Sequence, residues 1–142
     1  MKRLPVRSKT ILLGISLAVI MIFSSCAKKM TFSNSSVVPA AEGSVKIKND
    51  NNQNHTIEVR VSHLAPSDQL SPPQNTYVVW MVTESNGVQN IGQLKSTGGL
   101  FSKALKASLK TITPYNPTSF FITSELSGNV TYPGNSVVLT TH

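Results

Sequence analysis

The chain of 142 residues holds six carboxylates, three histidines and one cysteine, the groups from which acid–base, metal or thiol chemistry would be built. Their spacing argues against most of that chemistry. His142 is the last residue, and His55 and His63 lie on one face of an expected strand but about 26 Å apart, at roughly 3.3 Å per residue. They cannot share a metal, and each reads as a solvated strand-end residue. Asp50, Asn52 and Asn54 reproduce the D-x-N-x-N opening of a calcium loop. His55, however, stands where such a loop needs glycine, and Val61 where it needs a bidentate glutamate. A polar hairpin turn is the better reading. Glu42, Asp50, Glu58, Asp68, Glu84 and Glu125 are spread widely, and no pair is placed as a glycosidase-like dyad. Glu125 is the most suggestive of them, because Thr123 precedes it on the same strand face, but a structural hydrogen bond is the expected role. Trp80 and Tyr77 share a strand with several valines, and Trp80 is expected in a core rather than as a carbohydrate-stacking platform. No catalytic residue, metal ligand or cofactor is assigned, and the chain is not expected to be an enzyme.

Cys26 stands apart. Lys2, Arg3, Arg7 and Lys9 make a basic start, Ile11 to Phe23 is an uncharged and largely apolar run, and Ser24-Ser25 lead directly into the cysteine. A basic region, a short apolar core and small residues before a cleavage point describe a secretory signal. The apolar run is shorter than the about 20 residues needed to span a bilayer, and Lys28-Lys29 follow closely. With one cysteine, no disulfide can form within the chain. The ending I-F-S-S-C resembles a bacterial lipoprotein signal, which implies lipidation at Cys26 with palmitate-type acyl chains and removal of residues 1–25. Several acyl chains hold a protein to a membrane where one would not, at about 0.8 kcal/mol per buried methylene. Ala27 in place of aspartate resembles lipoproteins passed to the outer membrane, and Lys28-Lys29 lack the acidic character associated with surface export. The implied location is the cell envelope, lipid-anchored on the periplasmic face of the outer membrane.

The formal charge of +7 shrinks accordingly. Four of the thirteen basic residues precede Cys26, leaving nine against six acids, a net +3. That balance gives no case for nucleic-acid binding. Lys95, Lys103, Lys106 and Lys110 fall in one region; an anionic partner surface would suit them, but a solvated strand face whose lysines discourage edge aggregation is the expected reading.

The elements that position these residues are β. Residues 26–43 are small, polar and without sustained period, and are expected to be a lipidated N-terminus and flexible spacer. From Ser44, Val45 and Ile47 alternate with Lys46 and Lys48, and Ile57, Val59 and Val61 alternate with Glu58, Arg60 and Ser62, the period of half-buried strands. Residues 76–83, T-Y-V-V-W-M-V-T, are apolar on both faces, as a central strand would be. Asn86-Gly87 is expected to supply the positive φ angles of a tight hairpin into a strand from about Val88 to Lys95. Residues 100–112 fit helix and strand periods alike; strand is chosen for 104–112, with a helical turn allowed near 100–105. Ser119–Glu125 and Ser136–Thr141 complete the set, separated by the turn residues Ser127-Gly128-Asn129 and Pro133-Gly134-Asn135. A domain over 44–142, an antiparallel β-sandwich of seven to eight strands, follows from this spacing.

Tyr77 to Leu139 is similar to the extracytoplasmic C-terminal domain of RskA-type anti-sigma factors. The similarity rests on Y-V-V-W-M-V with Trp80, on N-G-V-Q-N-I-G-Q-L with Gly92 and Leu94, and on F-F-I-T-S-E-L-S-G-N-V-T-Y-P-G-N-S-V-V-L with Thr123, Glu125 and Pro133. It implies an immunoglobulin-like sandwich. Those anti-sigma factors place a sigma-binding helical domain and a membrane-spanning helix before this domain, where the present chain has its signal, so no sigma-factor partner is expected. The expected function is a non-catalytic binding, adaptor or sensor module with an envelope protein or polymer as partner. The alternative is an envelope hydrolase or small-ligand-binding enzyme built from Glu125, Asp68 or the histidines.

Overall fold

The computed structural model describes residues 27–96 and 105–142; the signal expected over residues 1–25, Cys26, Lys103 and residues 100–104 of the allowed helical turn lie outside the described residues. Among the described residues nine strands form: β1 (Lys28–Thr31), β2 (Glu42–Asn49), β3 (His55–Leu64), β4 (Thr76–Thr83), β5 (Gly87–Gln93), β6 (Lys95–Ser96), β7 (Leu105–Thr113), β8 (Pro117–Glu125) and β9 (Val137–Thr140). A 3₁₀ turn at Ser67–Gln69 lies between β3 and β4. One sheet runs β1-β2-β3-β7-β6 and the other β5-β4-β8-β9, every pairing antiparallel. The protein is a β-sandwich. The orders β2-β3-β7-β6 and β5-β4-β8-β9 match the ABED and C′CFG sheets of an immunoglobulin-like Greek key, with β1 added at one edge.

Alternation in the sequence explains the core directly. Val45, Ile47, Ile57, Val59 and Val61 turn inward from the first sheet and meet Val79, Met81, Phe120, Ile122 and Leu139 from the second. Burying each such side chain is worth about 1.5–3 kcal/mol. Leu105–Thr113 is a strand, with Ala107 and Leu109 directed inward and Lys106, Ser108 and Lys110 outward.

Four expectations are corrected. The spacer is not a free tether: Lys28–Thr31 pairs with β2, Met30 and Phe32 pack on the core, and Val38 and Ala41 are buried. Ser35 Oγ accepts hydrogen bonds from the Val37 and Val38 amides and shapes the turn between them. Only two apolar residues at period two, Met30 and Phe32, mark this strand, too short a pattern to stand out among small polar neighbours. Second, the 83–87 hairpin has a three-residue loop, residues 84–86, followed by Gly87 at positive φ (65°), while Asn86 does not take positive φ. Third, the return strand ends at Gln93; Leu94 packs inward and Lys95–Ser96 crosses to pair with β7 in the other sheet. Fourth, a bulge between Val61 and Leu64, with His63 at φ 57°, breaks strict alternation, so Leu64 enters the core and His63 turns to solvent. His55 and His63 therefore do not share a face.

Candidate functional site

Along β4 the second sheet buries both of its faces. Val79 and Met81 face the sandwich core, while Val78 and Trp80 point the other way and are also fully buried. Trp80 stacks on Phe121, its cross-strand partner, with ring centroids 6.1 Å apart, and stands opposite Asn90 on β5. The roof over this outer face is the β8–β9 connection, residues 126–136. Asn90 Nδ2 donates to the carbonyls of Gly128 (3.0 Å) and Val130 (2.8 Å), and Asn75 Nδ2 donates to that of Leu126 (2.9 Å). Trp80 is thus a buried anchor, but of a second apolar layer beneath a loop rather than of the central core.

Glu125 anchors the other end of the roof. Trp80 Nε1 donates to Thr123 Oγ1 (2.8 Å), Thr123 Oγ1 donates to Glu125 Oε1 (2.6 Å), and the Gly134 amide donates to the same carboxylate oxygen (2.7 Å). Every donor in this buried relay has an acceptor, which is what burial demands of polar groups. A side chain at Gly134 would place its Cβ 2.8 Å from Glu125 Oε2, so glycine is what lets the loop approach the carboxylate. The Thr123–Glu125 pair and its structural role therefore follow the sequence expectation, while Gly134 and Asn90 were not singled out there. Nothing local in the sequence marks Asn90 as a loop clamp, since its acceptors lie 38 and 40 residues away.

Beside the roof lies a cleft of about 770 Å³ between the 36–37 segment, Pro72, and the two ends of the β8–β9 connection. Val37, Leu126 and Val137 expose apolar surface around it, and Tyr132 stands 82% exposed on the roof itself. Glu125 contributes to its lining but no histidine does.

The remaining candidate groups are held elsewhere. Asp50 Oδ1 accepts the Asn52 and Asn54 amides (both 2.8 Å), and the Asn54 side chain donates to Oδ2. Those bonds, the Asn54 amide first, hold the Asp50 carboxyl below the usual carboxylate range and close a polar turn. Glu58 is held low by the hydrogen bond from Arg60, whose Nε lies 2.8 Å away. His55 Nδ1 bonds Asn49, His142 Nε2 bonds Ser33, and Asp68 sits exposed in the 3₁₀ turn. Tyr77 donates its hydroxyl to the Ala65 carbonyl (2.8 Å), and burial pushes its pKa up to about 12. Among the described residues, no three His, Cys, Asp or Glu side chains gather in a way that could hold a metal ion, and no helix is long and apolar enough to cross a membrane. No family model, curated protein or solved structure matches the chain.

Proposed function

We propose that this protein is a lipid-anchored, non-catalytic binding module of the bacterial cell envelope, acylated at Cys26 and recognising an envelope protein or polymer through the β8–β9 roof and the cleft beside it. One observation carries the binding half of this reading. The roof is pinned at Leu126, Gly128, Val130 and Gly134 by Asn75, Asn90 and Glu125, yet it turns Leu126 (68% exposed) and Tyr132 to solvent. A loop fixed on a rigid scaffold and presenting apolar side chains has the physical character of a recognition surface. Glu125, the strongest candidate for an enzymatic acid, spends one oxygen on Thr123 and Gly134, which supports binding over hydrolysis. The similarity to anti-sigma extracytoplasmic domains supports a sensor or adaptor role, without sigma-factor binding. Ala27 supports the periplasmic face of the outer membrane.

Fractionation with metabolic acyl labelling tests the anchor: Cys26→Ala should abolish the label and leave the chain uncleaved or soluble, and unchanged label and fractionation would refute it. Photo-crosslinking from Tyr132 and Leu126 in native membranes tests the surface. A discrete adduct from these positions that is absent from Glu84, on the hairpin loop, is expected. A hydrolytic activity lost in Glu125→Gln would instead place the protein among envelope enzymes.

A further inference from the structure

The outer face of the first sheet gathers most of the chain's positive charge. Strand register places Lys29, Lys46, Glu58 and Lys110 in one row across β1, β2, β3 and β7. The next row runs Thr31, Ser44, Arg60, Ser108 and Lys95. Lys48 and Lys106 complete the face on the same side of β2 and β7. Seven of the nine basic residues after Cys26 thus lie on this face, against two of the six acids, Glu42 and Glu58. Glu58 is engaged by Arg60, in the one ion pair among the described residues.

Protection of sheet edges explains a lysine on β1 or β6, and Lys48 and Lys110, which lie beyond the paired ends of β1 and β6, but not Lys46 and Arg60, which have strand partners on both sides. A merely solvated face would mix its signs. Here Lys29 stands directly opposite Lys46, an arrangement that weakens a strand pair in isolation. Between the cations lies a depression of about 660 Å³ lined by small residues such as Gly43, Ser44 and Ser108 and bordered by Lys29, Arg60 and Lys106, with Glu42 and Glu58 also on its wall. At the end of β7 the same face carries Ile112, 67% exposed.

The path of the chain says what covers this face. Ala27 lines a hollow together with Lys29, Lys46 and Arg60, so the backbone leaves towards Cys26 from the cationic surface itself. Cys26 is two residues from the start of β1, about 7 Å of extended chain. An acylated Cys26 therefore has no slack with which to hold the domain away from the bilayer. We propose that the outer face of the first sheet docks on the phosphate-bearing lipid headgroups of the leaflet that holds the anchor, a proposal that rests on acylation at Cys26. Anionic headgroups supply the complementary charge, each cation near such a surface being favoured about fivefold. Ile112 reaches the headgroup level beside them. Docked in this way, the domain turns its second sheet, with the β8–β9 roof, away from the membrane.

The test uses the full chain, processed and purified from membranes and reconstituted into vesicles of phosphatidylcholine, alone or with roughly one quarter phosphatidylglycerol. Lysines are acetylated with a water-soluble reagent and quantified by mass spectrometry, and the mass of the Cys26 peptide is read on the same sample. Lys46, Lys106 and Lys110 should label at least about fivefold more slowly in the anionic vesicles. The difference should vanish near 1 M salt, where the screening length falls to about 3 Å. In a Lys46→Gln/Arg60→Gln/Lys110→Gln variant, all three exposed, Lys29 and Lys48 should label equally in both vesicles. An acylated chain whose lysines label alike in both vesicles overturns the proposal and leaves anchoring standing; an unacylated chain overturns both. Protection by a soluble anionic polymer but not by anionic vesicles would make the partner a polymer and refute the lipid assignment.

Discussion

The two outer faces of this sandwich solve the same problem in opposite ways. On the first sheet, the side chains that turn away from the core are mostly lysine, arginine, serine and threonine, with Glu42, Glu58 and Ile112 among them, and the face stays open. On the second, Val78 and Trp80 turn away from the core and are buried under a loop that Asn90 and Glu125 tie down. Both sheets obey the period-two rule, yet only one alternates in polarity. A strand that is apolar on both faces needs a second cover, and in this fold the cover is the β8–β9 connection. The stability of the second face therefore resides in a few buried contacts, whereas that of the first is spread over exposed groups that contribute little to folding.

Substitutions should separate the two faces sharply. Trp80→Ala should have the largest effect, about 3–5 kcal/mol lost in denaturant unfolding, because it empties the layer beneath the roof. A loss below about 1 kcal/mol would mean that the roof collapses freely and is not a fixed surface. Glu125→Ala should follow at about 1–3 kcal/mol, since the Thr123 hydroxyl and Gly134 amide lose their acceptor. Hydrogen exchange should locate that loss at residues 126–136, with β3 and β7 unchanged.

A pH-dependent loss comes next. Burial raises the Tyr77 pKa from 10 to about 12, so the unfolded chain releases this proton first. Its contribution to stability is complete below pH 10 and declines as pH rises from 10 to about 12. Tyr77→Phe should flatten that part of the stability profile. The smallest effects belong to the first sheet: Lys46→Gln and Lys110→Gln should each change stability by no more than about 0.5 kcal/mol. A larger loss would give these lysines a structural role and remove the contrast between the faces.

Much of the fold was legible because its strands alternate. Val45 to Val61, the apolar run at 76–83 and the strands after Pro114 are visible as periods. β1 was not, because four residues with one partly buried methionine carry no readable period until β2 pairs with them. The turn at Asn86-Gly87 was placed correctly, but its backbone geometry was not, since Gly87 alone takes positive φ, just after a three-residue loop. In the candidate site, Thr123 and Glu125 were readable as neighbours on one strand face. Asn75 and Asn90 were not, because each meets a partner from a different part of the chain, and Gly134 was readable only as a turn residue and not as the donor to Glu125.

The sequence by itself determined the class of secondary structure and the inward residues of most strands, because each of these is local or periodic. Only the tertiary structure decided which strands share a sheet, and so which lysines share a face. Lys29, Lys46 and Lys110 lie up to 81 positions apart in the chain and come into one row through register alone. It also decided that Trp80 needs a roof and that residues 126–136 supply it. Long-range pairing sets both outcomes, and no residue reveals its cross-strand neighbour until the backbone hydrogen bonds choose one.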